Sequence, residues 1–168
     1  MPPVADNFDP LGVLQALDNH RVSYIVVGSL ARIIQGADEM TNGVDIVPPM
    51  REETLRRLDL ALAELGARRT DRKKLAPLQN DPSPEPVLAL ATDLGELKIV
   101  PQPEGTGGYD DLRRAATREY LGKGVRSSIA SVGDLARMIS ALGREDDIPK
   151  LMAMRRIAEL DVGRGLEL

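Results

Sequence analysis

The chain has 168 residues, 42% of them hydrophobic and 29% charged, with a formal net charge of −4. These values describe a soluble globular chain with enough apolar mass for one core, and they exclude a polycation that grips nucleic acid with its whole surface. Cysteine is absent and His20 is the single histidine, which excludes disulfides, thiolate zinc sites, cysteine nucleophiles and histidine-rich metal centres.

The first element expected along the chain is a helix in "FDPLGVLQALDNH". Asp9 can cap it, Pro10 fits its first turn, and Leu11, Leu14 and Leu17 recur at helical spacing. "SYIVVG" reads as a buried strand ending at Gly28, "SLARIIQ" as a short helix, and "VDIVP" as a second buried strand closed by Pro48 and Pro49. "REETLRRLDLALAELG" is an amphipathic helix with Leu55, Leu58, Leu62 and Leu65 on one stripe. From Arg68 to Pro86 proline and polar residues dominate, which predicts a long, mobile loop. "VLALAT", a turn at "DLG" and "ELKIVP" predict a hairpin. "YDDLRRAATREYL" starts as a helix, and "VRSSIAS" is a short strand. Two helices follow, "SVGDLARMISAL" with its stripe of Val132, Leu135, Ile139 and Leu142, and "DDIPKLMAMRRIAEL". There is no internal repeat, so the expectation is a single α/β domain over residues 1–168, a small mixed sheet with flanking helices.

The core must come from Leu, Ile, Val, Met and Ala, because the aromatic residues are three Tyr and one Phe. Without Trp, aromatic base-stacking platforms are not expected. The N-terminus lacks a basic, apolar leader and no apolar run approaches ~18 residues, so a cytoplasmic protein with no membrane partner is expected.

Two short stretches draw attention. A strand running into Gly28-Ser29 and then a helix can present backbone N–H groups and a hydroxyl to phosphate. Ser29 reads equally well as an ordinary helix cap. Asp45 stands inside the apolar run Val44, Ile46, Val47, where alternation turns it to the opposite face from Val44 and Ile46. A carboxylate in a half-buried strand is costly unless it is paired or ligating. Asp45 is thus either a functional acid or a strand-end partner of an arginine such as Arg32. Two basic groups, one at Arg68, Arg69, Arg72, Lys73 and Lys74 and one at Arg113, Arg114, Arg118, Lys123 and Arg126, read as phosphate contacts or as solvated faces. "PEGTGG" lacks the strand–GK[ST] context of a phosphate loop and reads as a flexible turn.

Taken together, "VVGSLARIIQG", "TNGVDIVP", "LRRLDLALAELGA", "TDLGELKIVPQPEGTGGYDDLRRAA" and "IASVGDLARMISALGREDD" resemble the minimal nucleotidyltransferase fold. They are most similar to its AbiEii/MenT-like toxin branch and to related uncharacterised bacterial proteins, over roughly residues 11–160. The resemblance implies a nucleotidyltransferase-like α/β fold and metal-assisted transfer of a nucleotide from an NTP to RNA, at the 3′ end of tRNA for the toxins. It also implies Mg²⁺ as cofactor and a cognate antitoxin or other protein as partner. In that family two carboxylates one residue apart on a strand, with a third on a neighbouring strand, hold the metal.

By that resemblance Asp45 is the catalytic acid and metal ligand, Gly28, Ser29 and Arg32 bind nucleotide, and Arg144 and Asp147 complete the catalytic set. Several positions depart from the pattern. The first carboxylate falls on Gly43, the third on Lys98, a helical lysine on Ile139, and Asp146 takes another lysine position. Asp38, Glu39 and Glu96 are substitute ligands to consider, although Glu96 shares a strand face with Lys98 and can simply pair with it. The expectation is an eroded site that holds Mg²⁺ weakly and carries out transfer feebly or not at all. The alternative is a non-catalytic regulator, antitoxin-like or a pseudoenzyme, that binds nucleotide, RNA or protein.

Overall fold

Local chemistry sets the first helix. In the computed structural model, which describes residues 8–81 and 84–166, the Asp9 carboxylate accepts the Gly12 N–H at 3.0 Å and Pro10 opens α1 (Pro10–Asn19). Next come β1 (Ile25–Val27), α2 (Gly28–Ile34), β2 (Gly43–Val47) and α3 (Glu52–Glu64). The middle of the chain carries the two-residue β3 (Arg68–Arg69), a 3-10 turn at Leu78–Asn80, and the hairpin of β4 (Leu88–Thr92) and β5 (Gly95–Ile99). The four-residue α4 (Tyr109–Leu112) leads to a second hairpin, β6 (Thr117–Gly122) and β7 (Val125–Ile129). The chain continues through α5 (Val132–Leu142), a 3-10 turn at Glu145–Asp147 and α6 (Ile148–Leu166).

The seven strands form one mixed sheet in the order β3-β4-β5-β2-β1-β7-β6. β1 runs antiparallel to β2 and parallel to β7, and β2 runs parallel to β5. Alternation decides what each face does. Val44, Ile46, Leu88, Leu90, Leu97 and Ile99 are buried on one face, while Asp45, Ala89, Ala91, Glu96 and Lys98 lie half-buried on the other. All three residues of β1 are buried, as suits a central strand. α1 packs on β2, β5 and β7, α3 packs on α1, and α2 packs on β1, β2 and α5. The α/β expectation of a mixed sheet with flanking helices describes this architecture.

Two expectations need correction. Helix was expected from Tyr109 onward, but α4 stops at Leu112 and Thr117–Gly122 is a strand paired with β7. The turn that makes this hairpin is Gly122-Lys123-Gly124, with all three residues at positive φ (109°, 51° and 78°). The segment 68–86 was expected to be a long, mobile loop; most of its described residues lie outside helix and strand, but its leading residues pair with β4, and Leu75 and Leu78 pack against the core. The Asp59 carboxylate on α3 accepts the Leu78 and Gln79 amides at 2.8 and 3.2 Å, and Arg69 is gripped by Asp71 and Glu85, each at 2.7 Å. On α5, Val132, Leu135 and Ile139 of the expected stripe are buried, but Leu142 is exposed.

Candidate functional site

The half-buried face of the sheet opens into a cleft of about 700 Å³. Its walls come from the β1–α2 turn, β2, β5, α5 and the start of α6. Gly28, Ser29, Arg32, Asp45, Arg144 and Asp147 all line it, as do Lys98 and Ile139. The fold therefore brings together the six residues that the resemblance assigns to the site, while Asp38, Glu96 and the two basic groups do not line the cleft. The volume falls within the range of small-molecule sites.

Asp45 sits at the base. On β2 it is registered with Val27 of β1 on one side and Lys98 of β5 on the other. Burial pushes its carboxyl above the usual carboxylate range, and the positive charges of Lys98 and Arg32 only partly offset this. Gly28 is shaped around it. With φ at +72° and a hypothetical Cβ only 2.5 Å from the Asp45 Oδ2, a side chain at residue 28 is strained and forces the Asp45 carboxylate to shift.

Ser29 does not cap α2, which begins one residue earlier. Its hydroxyl donates to Thr41 Oγ1 at 2.6 Å, and Thr41 in turn donates to the Gly43 carbonyl at 3.0 Å, tying α2 to the approach of β2. Arg32 does not pair with Asp45. Glu39 holds its guanidinium in a two-pronged bridge of 2.7 and 3.0 Å, with both side chains largely buried. Arg144 donates to the buried Asp147 at 2.7 Å and Lys150 contacts the other oxygen at 3.2 Å. These hydrogen bonds, Arg144 foremost, hold the Asp147 carboxyl below its usual range. Sequence reasoning missed Thr41 and Lys150. Lys150 was readable as the i+3 neighbour of an acid at a helix start.

The glycine-rich 105–108 stretch keeps its polar groups to itself. Thr106 donates to the Pro103 carbonyl at 2.8 Å, and the Gly107 amide donates to Asp111 at 2.8 Å. Of the second basic group, Arg118 and Arg126 face a separate shallow cavity of about 410 Å³ beside Tyr24, at the opposite end of β1 from the cleft.

Magnesium needs several hard oxygen ligands at once. Asp45 offers one carboxylate, Gly43 offers none, and an ammonium stands on the adjacent strand. Glu39 and Asp147 are already committed to cations, Glu96 is not a lining residue, Glu104 lines the cleft from an exposed position on the loop after β5, and no cluster of three or more His, Cys, Asp or Glu side chains exists among the described residues. This donor set does not fit a two-metal centre.

Among the described residues, no helix is long and apolar enough to cross a membrane. No protein-family model and no curated protein matches the sequence. A solved structure from Thermotoga maritima, described as that of a candidate nucleotidyltransferase, matches 84% of this chain and 86% of its own at 20% identity, with a TM-score of 0.53. That likeness concerns the fold, and with the sheet order and the cleft described above it leads to one conclusion: the chain has a nucleotidyltransferase-like fold.

Proposed function

We propose that the protein binds a nucleoside triphosphate in the cleft, and that nucleotidyl transfer to an RNA acceptor such as the 3′ end of tRNA is weakened or lost in it. One observation supports the reading: a cleft of nucleotide size has Gly28 fitted against Asp45 and basic residues in its walls, with Gly43 and Lys98 at the positions where the resemblance puts carboxylates. Gly28, Ser29 and Arg32 form the wall offered to the nucleotide. Asp45 is the one acid left at the base, and on its own it holds Mg²⁺ weakly. Arg144 and Asp147 line the same cleft as a pair. Such a protein works in the cytoplasm of a bacterium, where NTPs and tRNA are found. It acts there as a pseudoenzyme or regulator, alone or with a cognate protein of the toxin–antitoxin kind.

The test combines calorimetry with labelled NTPs and a transfer assay on total tRNA with Mg²⁺ or Mn²⁺, beside an Asp45→Ala control. Nucleotide binding with little or no label on RNA is the expected result. Multiple turnovers that disappear in the control would instead establish an active transferase. Failure to bind any of the four NTPs would remove the reading altogether.

A further inference from the structure

We infer that the ammonium of Lys98 does the work of a divalent cation at this site, so that the cleft holds the phosphate chain of its nucleotide without Mg²⁺. This rests on the nucleotide-binding reading above.

The cations of the cleft fall into two groups. Arg32 is consumed by Glu39, and Arg144 and Lys150 are consumed by Asp147. Lys98 is different. Among the described residues it has no ion pair within 4.0 Å, so the pairing with Glu96 considered from the sequence is not made. Its cross-strand neighbours are Asp45 on β2 and Ala89 on β4, one carboxylate and one methyl group. Lys98 therefore stands half-buried in a cleft wall with Asp45 as its one acidic cross-strand neighbour. Among the described residues that acid receives no hydrogen bond.

Polyphosphate carries several anionic oxygens. A lysine presents three donors on a flexible stem and meets phosphate as a point charge without demanding fixed geometry. A magnesium ion at Asp45 faces the reverse situation. It gains one carboxylate at the strand register of Asp45, and adjacent strands are only about 4.8 Å apart, so it stands close to the positive charge of Lys98. The site is short of ligands for a cation and supplied with a cation for phosphate.

The probe is ATP, titrated calorimetrically into the intact protein in excess EDTA and again in MgCl₂, with tripolyphosphate and adenosine as separate arms. Binding in EDTA at least as tight as in Mg²⁺ is expected, with tripolyphosphate competing. Lys98→Met keeps the side-chain length and removes the charge, and it is expected to weaken ATP binding in EDTA about tenfold or more. Asp45→Asn is expected to bind ATP in EDTA no more weakly than the parent. Thermal melts of both variants establish that they fold, and Lys123→Gln, on the β6–β7 turn, serves as the charge-matched control.

ATP binding that requires Mg²⁺ would overturn the inference and leave the nucleotide reading standing. So would a folded Lys98→Met that binds ATP in EDTA like the parent, competition by adenosine but not by tripolyphosphate, or loss of binding in Asp45→Asn. Absence of binding in both buffers would overturn both.

Discussion

Two carboxylates of the cleft respond to pH in opposite directions. The buried Asp45 has its acid constant raised by desolvation. Its contribution to stability is therefore complete below the unfolded carboxylate range and is lost as pH rises through the folded value. Asp45→Asn is expected to raise the melting temperature at neutral pH by about 2–4 °C, corresponding to ~1 kcal/mol, with the gain gone near pH ~3. Asp147 has its constant lowered by Arg144 and Lys150. Its contribution is present above the unfolded range and disappears as pH falls through the folded value. Asp147→Asn is thus expected to lower the melting temperature at neutral pH and to match the parent in strong acid. Melting curves of the two variants across that range check both signs.

The tight fit of Gly28 against Asp45 gives a third expectation. Gly28→Ala incurs left-handed backbone strain and a contact of 2.5 Å with the carboxylate, together about 2–4 kcal/mol. Combining it with Asp45→Gly should recover the contact part and leave the backbone part, so a double-mutant cycle by denaturant unfolding will be non-additive.

At the scale of elements, capping and alternation were legible and remote partners were not. Asp9 and Pro10 announce α1 within three residues of sequence, while the cap of α5, where the Ser131 hydroxyl accepts the Asp134 amide at 3.0 Å, is seen in the structure. The placement of Asp45 opposite Val44 and Ile46 follows from period two alone. β6 was missed because "REYL" has helix-compatible residues, and only the Gly122–Gly124 turn and the partner strand decide the matter. The packing of 68–81 was missed for a different reason. Its anchor is Asp59, 19 residues from Leu78 and outwardly just another acid on an amphipathic helix. Asp59→Ala should release it, at a cost of ~1 kcal/mol. Hydrogen exchange is the measure: the Leu78 and Gln79 amides should lose protection while those of β1 stay unchanged. The partnering of Arg32 with Glu39 was similarly hidden, since a bridge from the last turn of α2 to a residue in the irregular chain beyond it has no period to betray it.

For the molecule as a whole, the sheet register makes the metal question reversible. Residues 43, 45 and 98 share one face, with Asp45 beside Lys98 and Gly43 beside Glu96. Gly43→Asp with Lys98→Asp therefore gathers three carboxylates, although a Cβ at 43 sits 3.1 Å from the Glu96 Cβ and forces a small shift there. Melting without metal should fall, because like charges crowd a half-buried face. Added Mg²⁺ should raise it more than in the parent, by about 2.7 kcal/mol at a hundredfold excess over the dissociation constant. Calorimetric scans with and without Mg²⁺ decide this, and an unresponsive double variant means that the three positions do not converge on an ion.

The walls of the cleft come from stretches of chain that are far apart, around residues 27–45, 86–104 and 135–150. No fragment encloses it. During synthesis a growing chain thus acquires the pocket only after Lys150 has been added and α5 has docked on α2, so a nucleotide cannot template the early folding of β1 and β2. On the nucleotide-binding reading proposed above, a bound nucleotide would tie the beginning of the sheet to the last helices. It would act as a clasp on the finished fold and slow the opening that separates α5 and α6 from the strands.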